Sequence, residues 1–165
     1  SILRALWIGL ENLHILTSFS NNQQALRIEL TLKGATKPTV LLYHRFLVGS
    51  KAEHYKLTID DYEGPKGYDA LSKHHGSVFT VKKSMTQNPD KDKCSGERLS
   101  GGWWFNTCNQ ANLNGRKFTH PPSTRALGIT WHIKNKDESY RYIYDWVEMK
   151  IRDSDFGFCT GRLKS

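Results

Sequence analysis

The chain has 165 residues, 38% of them hydrophobic and 12% aromatic, enough to bury one continuous core and too aromatic for a disordered segment. Thirteen glycines and five prolines exclude collagen-like and proline-rich architectures. Twenty-four Lys and Arg against 16 Asp and Glu give a net charge of +8, which attracts polyanions or simply keeps the chain soluble.

No apolar run reaches the roughly 20 residues a bilayer span requires, so membrane insertion is not expected. The longest candidate, 6–16, is interrupted by Glu11, Asn12 and His14. The basic residues are scattered, with no helix-spaced stripe and no nucleic-acid motif, so nucleic acid is not an expected partner. Ser1 stands where an initiator Met would, and the chain reads as a piece of something longer.

Leu6, Trp7, Ile8 and Leu10 are dense enough for helix or strand, while Leu10, Leu13, Ile15 and Leu16 suit a short helix ending near Thr17. Asn21-Asn22 marks a turn, and three strand-like runs follow. Residues 25–32 alternate Leu26, Ile28, Leu30 and Leu32 with polar neighbours, the period of a half-buried strand. Residues 39–48 are rich in aliphatic and aromatic side chains, and 55–62 alternate Tyr55, Leu57 and Ile59. Short links between them predict an antiparallel meander.

From 63 to about 124, Gly, Asn, Asp, Lys and Ser dominate and periodicity disappears. So long a stretch predicts a folded, loop-built functional region. Order returns at 127–134 and 140–152. In the last run Tyr142, Tyr144 and Trp146 share one parity, and Val147, Met149 and Ile151 the other. Apolar on both sides, this strand is expected in the middle of a sheet, covered on both faces. The expected organisation is one domain over 1–165: a sheet half (1–62 and 127–152), a loop-rich binding half (63–126) and a tail (153–165).

Enzyme chemistry finds no support. The seven histidines are dispersed without HExxH spacing, and there is no GxSxG elbow or phosphate-cradling loop. His74-His75 beside Lys73 reads as a solvated turn rather than a metal site. No N-x-[ST] acceptor is present. Cys94 and Cys108 are too widely spaced for a CxxC zinc or redox pair. If oxidised, they close a loop worth roughly 3 kcal/mol and place the chain outside the cytosol. Cys159 then pairs with an upstream segment, with another chain, or stays free.

The loop region carries the series Cys94, Gly101-Gly102-Trp103-Trp104, Cys108, Asn112-Leu113-Asn114-Gly115 and Gly128-Ile129-Thr130-Trp131. This resembles the fibrinogen C-terminal globular domain family, whose hallmark is a C…GGWW…C…NLNG…G-[IV]-x-W progression. Trp7-Ile8-Gly9-Leu10-Glu11-Asn12-Leu13-His14 resembles its first helix, Leu26-Arg27-Ile28-Glu29-Leu30 and Tyr55-Lys56-Leu57 its early strands, and Glu148-Met149-Lys150-Ile151-Arg152 its closing strand, with Asp153 where Pro is usual. The implied fold is α+β, a twisted antiparallel sheet with short helices and a loop-rich ligand and calcium subdomain. The family's small N-terminal subdomain, with its own disulfide, is missing from the sequence.

The resemblance implies a Cys94–Cys108 disulfide and a cis peptide at Thr107–Cys108 that orients backbone groups into a ligand pocket. The implied ligand-binding set is Glu97, Arg98, Trp104, Thr107, Cys108, Asn109, Arg125 and Ala126. Trp103 and Trp104 form either a pocket wall or plain core, and Gly101 and Gly102 let backbone approach closely. The implied cofactor is calcium. Its usual carboxylate positions hold Ser84 and Thr86 counted from Cys94, or Lys83 and Met85 counted from Phe79-Thr80. The remaining candidates are Asp90 and Asp92 with Asn88, in a turn whose lysines repel a cation.

The pocket departs from the acetyl-recognising pattern. Asn109 stands at a usual His position, and of the apolar slot only Ala126 fits. Arg98 and Arg125 instead favour a planar anion, since guanidinium pairs bidentately with carboxylate or sulfate; the competing reading has them paired with carboxylates such as Glu97. The expectation is a secreted, extracellular, non-catalytic recognition domain that binds a glycan or a cell-surface or matrix protein. The expected ligand is acidic, a sulfated or sialylated polyanion or an acidic protein loop, and oligomerisation would run through segments outside this chain. The alternative is a receptor-binding or matrix signalling domain of angiopoietin or tenascin type, acting through protein contacts.

Overall fold

The computed structural model describes residues 8–82, 99–106 and 108–154. Helix α1 spans Leu10–Thr17 and docks on the sheet through polar groups at its C-terminal end. The Thr17 hydroxyl donates to the Leu13 carbonyl at 2.7 Å and accepts from the Val48 N–H at 2.9 Å, so a buried threonine fastens helix to strand. His14 Nδ1 lies 2.9 Å from the Val48 carbonyl.

The main sheet contains β1 (Gln24–Leu32), β2 (Thr39–Val48) and β3 (Leu57–Glu63), the expected antiparallel meander. Leu26, Ile28 and Leu30 face inward from β1 while Arg27 and Glu29 face out, joined by a 2.8 Å ion pair. In β2 the inward set changes parity between Tyr43 and Phe46. A register shift opposite Gln24 and Leu26 supplies the extra residue, and both aromatic rings reach the core. The third strand starts at Leu57 rather than 55, because His54 and Tyr55 both take φ of 53°.

Three short strands lie in the loop half: β4 (Thr80–Lys82), β5 (Gly101–Trp103) and β6 (Ala111–Asn112). Strand β7 (Thr130–Trp131) pairs with β6, and β4 with β5. The segment 127–134 therefore joins the loop half, not the main sheet where sequence had placed it. Strand β8 (Tyr144–Asp153) pairs antiparallel with β1.

The order β3-β2-β1-β8 corrects the expectation of a central, doubly covered final strand, since β8 is an edge strand among the described residues, as is β3. Val147, Met149 and Ile151 sit opposite Leu30, Ile28 and Leu26 and pack on the core from one face. A register shift between Thr31 and Leu32 turns Tyr144 inward as well, whereas Trp146 on the other face is 40% exposed. The inner face of the sheet and the loop half share a single core, with Trp103, Trp104, Trp131, Leu71 and Leu113 lying against Leu41, Tyr43, Phe46 and Leu57.

Candidate functional site

The Gly-Gly-Trp-Trp segment is set by close packing. Gly101 has φ +82°, and a Cβ there would strike the Asn114 carbonyl; one at Gly102 would strike the Phe79 ring. The two glycines thus let the strand lie flat against its neighbours, as the sequence suggested. Asn112 Nδ2 donates to the Ser100 carbonyl at 2.9 Å and Asn114 Nδ2 to the Gly102 carbonyl at 2.7 Å, so the Asn-Leu-Asn-Gly run is the clamp on this strand.

Trp104 is core, not a ligand contact. Its ring is 3% exposed and makes edge contacts with Trp103, Phe79 and Phe46 at centroid distances of 5.3, 5.4 and 6.4 Å. No face is left for a ligand, and the indole N–H is spent on the Tyr55 carbonyl at 2.8 Å. Asn109, 1% exposed, also turns inward, and its Oδ1 accepts the Asn106 N–H at 2.8 Å. Both residues shape the loop from beneath.

His74 is the residue that sequence misjudged most. Far from a solvated turn, it is 0% exposed, at the end of a 3-10 helix over Leu71–His74. Nδ1 lies 2.7 Å from the Trp104 carbonyl, and Nε2 accepts the N–H groups of Gln110 and Ala111 at 3.2 and 3.0 Å. These partners fix a neutral ring with its proton on Nδ1. Burial holds its pKa below the ordinary histidine value, with the hydrogen bond to Trp104 opposing. One imidazole thus ties both ends of the 104–111 loop to the helix. A usable signal existed: Leu71 and His74 are three apart, and residues i and i+3 eclipse on one face of a 3-10 helix. His75, its neighbour, is exposed and accepts the Ile59 N–H through Nδ1 at 3.2 Å.

On the facing segment, Ala126 is 1% exposed with φ +61°, a left-handed conformation unusual for alanine. Arg125 beside it is half-buried. Its guanidinium carbon lies 3.7 Å from the centroid of the Tyr140 ring, which also stacks on His132 at 4.5 Å and 15°. The flat face of Arg125 is therefore held by an aromatic ring, a cation–π contact worth about 0.5–2 kcal/mol. Burial lowers the His132 pKa; Asp137 opposes this and Arg125 reinforces it. The His132 N–H donates to the Gln110 carbonyl at 2.7 Å, so the 104–111 loop and the Arg125–Tyr140 stack are neighbours through His132. Tyr140 and His132 belong to the site and were not singled out from sequence.

Cys108 is exposed and disulfide-bonded. Cys94, Glu97, Arg98 and Thr107 lie outside the described residues, and with them the expected cis bond and the pairing of Arg98 with Arg125. The calcium candidates Asp90 and Asp92 lie outside them too. Among the described residues no cluster of three His, Cys, Asp or Glu could hold a metal, and no helix is long and apolar enough to cross a membrane.

An antiparallel sheet with few helices, carrying a surface built from clamped loops, defines an α+β domain whose sheet supports and whose loops present. The profile of the C-terminal globular domain of the fibrinogen beta and gamma chains matches residues 2–154, and the chain belongs to that family. It is 35% identical over 152 residues to fibrinogen C domain-containing protein 1-A of Xenopus laevis, covering 88% of this chain and 31% of that protein. It is 33% identical over 162 residues to tenascin of Gallus gallus, covering 96% and 8%. The fibrinogen-like globe domain of human ANGPTL2 superimposes with a TM-score of 0.70 at 27% identity, covering 90% of this chain and 65% of that one. The chain thus spans less than a third of these two sequence relatives.

Proposed function

We propose that this chain is a non-catalytic recognition domain of a secreted, extracellular protein, receiving its ligand on the surface formed by the 104–111 loop and Arg125. The observation that carries this reading is the buried polar scaffold beneath that surface. His74 and Asn109 spend fully buried side chains on holding loop backbone, an arrangement that fixes a presenting surface. The disulfide at Cys108 supports an oxidising compartment.

The ligand class is an acidic glycan such as a sialylated or sulfated chain. Stacking on Tyr140 fixes the plane of the Arg125 fork, which pre-organises it for a carboxylate or sulfate. The test is binding of the immobilised domain to sialylated, sulfated and neutral acetylated glycans at physiological salt. Acidic glycans should be retained, and Arg125→Gln should lower their affinity about tenfold, the loss of one charge-assisted contact. A preference for neutral acetylated sugars would overturn the ligand class.

A second reading, contact with a receptor or matrix protein, is favoured by the burial of Trp104 and Ala126, which leaves no apolar slot at those residues for an acetyl group. A bound glycan should be displaced by simple sugars, whereas a protein partner should not. The disulfide partner of Cys108 in this proposal is Cys94. Calcium at Asp90 and Asp92 also belongs to the proposal. Calorimetric titration should show a dissociation constant no tighter than about 10⁻⁴ M, the weak range of extracellular calcium modules, because Lys91 and Lys93 flank the acids.

A further inference from the structure

A second surface feature also includes Tyr140. A small cleft is lined by Lys117, Phe118, Tyr140, Arg141 and Tyr142, with Arg116 also on its wall. We infer that this cleft is a separate binding site for one sulfated sugar unit of a linear anionic glycan. The inference rests on the recognition reading above only for the general role of the domain, since its residues are different ones.

Among the described residues, two cations on the cleft have no acidic partner. The Lys117 ammonium donates only to the Asp145 carbonyl at 3.3 Å, and Arg141 Nη2 only to the Ser123 carbonyl at 3.5 Å; neither makes an ion pair among the described residues. The nearby carboxylates are turned elsewhere, with Asp145 Oδ2 accepting the Gly34 N–H at 3.0 Å and Glu138 Oε1 accepting the Tyr142 hydroxyl at 3.4 Å. Lys33 adds positive charge on the Phe118 side, where it donates to the Thr119 carbonyl at 2.9 Å. Like charges gathered along one cleft repel one another in its absence and focus the field on an incoming anion. The guanidinium and ammonium match sulfate oxygens, while half-buried Phe118 and Tyr142 supply apolar surface for the C–H face of a sugar ring. The cleft is too small to engulf a sugar ring, so the chain lies across its rim and continues along the surface.

The experiment uses a heparin-derived octasaccharide, its desulfated form that keeps the carboxylates, and polyglutamate, each titrated at about 0.15 M salt, where exposed long-range attraction is largely screened. The variants are K117Q with R141Q, R125Q, and K51Q with K56Q as a charge-matched control at exposed positions on the β2–β3 connection. The inference expects the K117Q and R141Q pair to lose about tenfold in affinity for the sulfated probe, with unchanged thermal unfolding and in addition to any loss that R125Q causes at the loop surface, and the control pair to lose little. It is overturned if the control pair loses as much, because attraction would then be diffuse. It is equally overturned if the desulfated probe or polyglutamate binds as well as the sulfated one, or if the sulfated probe does not bind. Loss confined to R125Q would sink the cleft and leave the loop-surface proposal standing.

Discussion

The imidazole of His74 donates to the carbonyl of Trp104 across 2.7 Å, from a position no solvent reaches. The same ring accepts two backbone N–H groups from the far end of the loop, so it acts as an internal cross-brace for a segment with almost no regular structure of its own. Removing it leaves three backbone groups without that partner. His74→Ala should cost about 3 kcal/mol or more in urea unfolding, at roughly 1–3 kcal/mol for each buried group left unsatisfied. An unchanged midpoint would show that the loop is held by other means.

The same ring makes stability acid-sensitive. An ordinary histidine titrates near 6.5, and folded His74 lies below that because it is buried. Above pH about 6.5 both states are neutral and His74 contributes no slope. As pH falls below that value the unfolded chain binds the proton first, and stability declines by up to about 1.4 kcal/mol per pH unit until the folded pKa is reached. His132, also lowered by burial, adds in the same direction. Urea midpoints between pH 8 and 5 should therefore fall, and His74→Gln should flatten part of the slope. A slope identical to the parent's would remove His74 from the account.

Ala126 combines φ +61° with full burial. A β-branched side chain is doubly penalised there, by the left-handed backbone and by the packed surroundings. Ala126→Val should cost about 2–3 kcal/mol, whereas Ala126→Gly should be close to neutral, since relief of strain offsets the lost methyl. Equal effects of the two substitutions in thermal unfolding would contradict the backbone assignment.

The Tyr43 hydroxyl donates to Asp69 Oδ1 at 2.7 Å and accepts the Leu71 N–H at 3.3 Å, coupling the sheet to the turn that carries His74. Burial pushes the phenol far above its ordinary value, so it stays protonated at any pH the fold survives. Tyr43→Phe should destabilise by about 1.5–3 kcal/mol, the range for a hydrogen bond to a charged group. A loss below about half a kcal/mol, by denaturant titration, would show that Asp69 and Leu71 find other partners.

The bond at Cys108 gives a mapping prediction. Non-reducing digestion should recover a peptide linking Cys108 to Cys94, and Cys94→Ser should lower stability by about 3 kcal/mol, the entropy of a loop of that length. Recovery of a Cys108–Cys159 peptide instead would overturn the pairing.

Much of the sheet was legible in the residues. The period-2 runs gave β1 and most of β3, because alternation reports a half-buried strand without reference to its partners, and the aliphatic and aromatic richness of 39–48 gave β2. Helix α1 was legible from the helical spacing of its apolar residues, of which Leu10 and Leu13 pack on the core while Ile15 and Leu16 are exposed. The apolar content of β8 was also legible, but its place was not. Both parities of 142–151 are apolar, and only the pairing with β1 and the register shift at Thr31–Leu32 decide which side is covered. The candidate site was legible only as a list. Its residue types came from a series of motifs, while Trp104, Asn109 and Ala126 turned out to be buried supports, and His132 and Tyr140 carried no signal at all.

By itself the order of residues determined the meander, the glycine-dependent approach of the Gly101-Gly102 strand, the family and the excess of positive charge, because each is a property of neighbours along the chain or of composition. Tertiary structure alone decided that His74 is a buried brace, that Arg125 lies flat on Tyr140, and that Lys117 and Arg141 share a cleft with no acidic partner among the described residues. Those are contacts between segments far apart in sequence. Burial, charge compensation and ring stacking depend on which surfaces meet, and no local pattern encodes that.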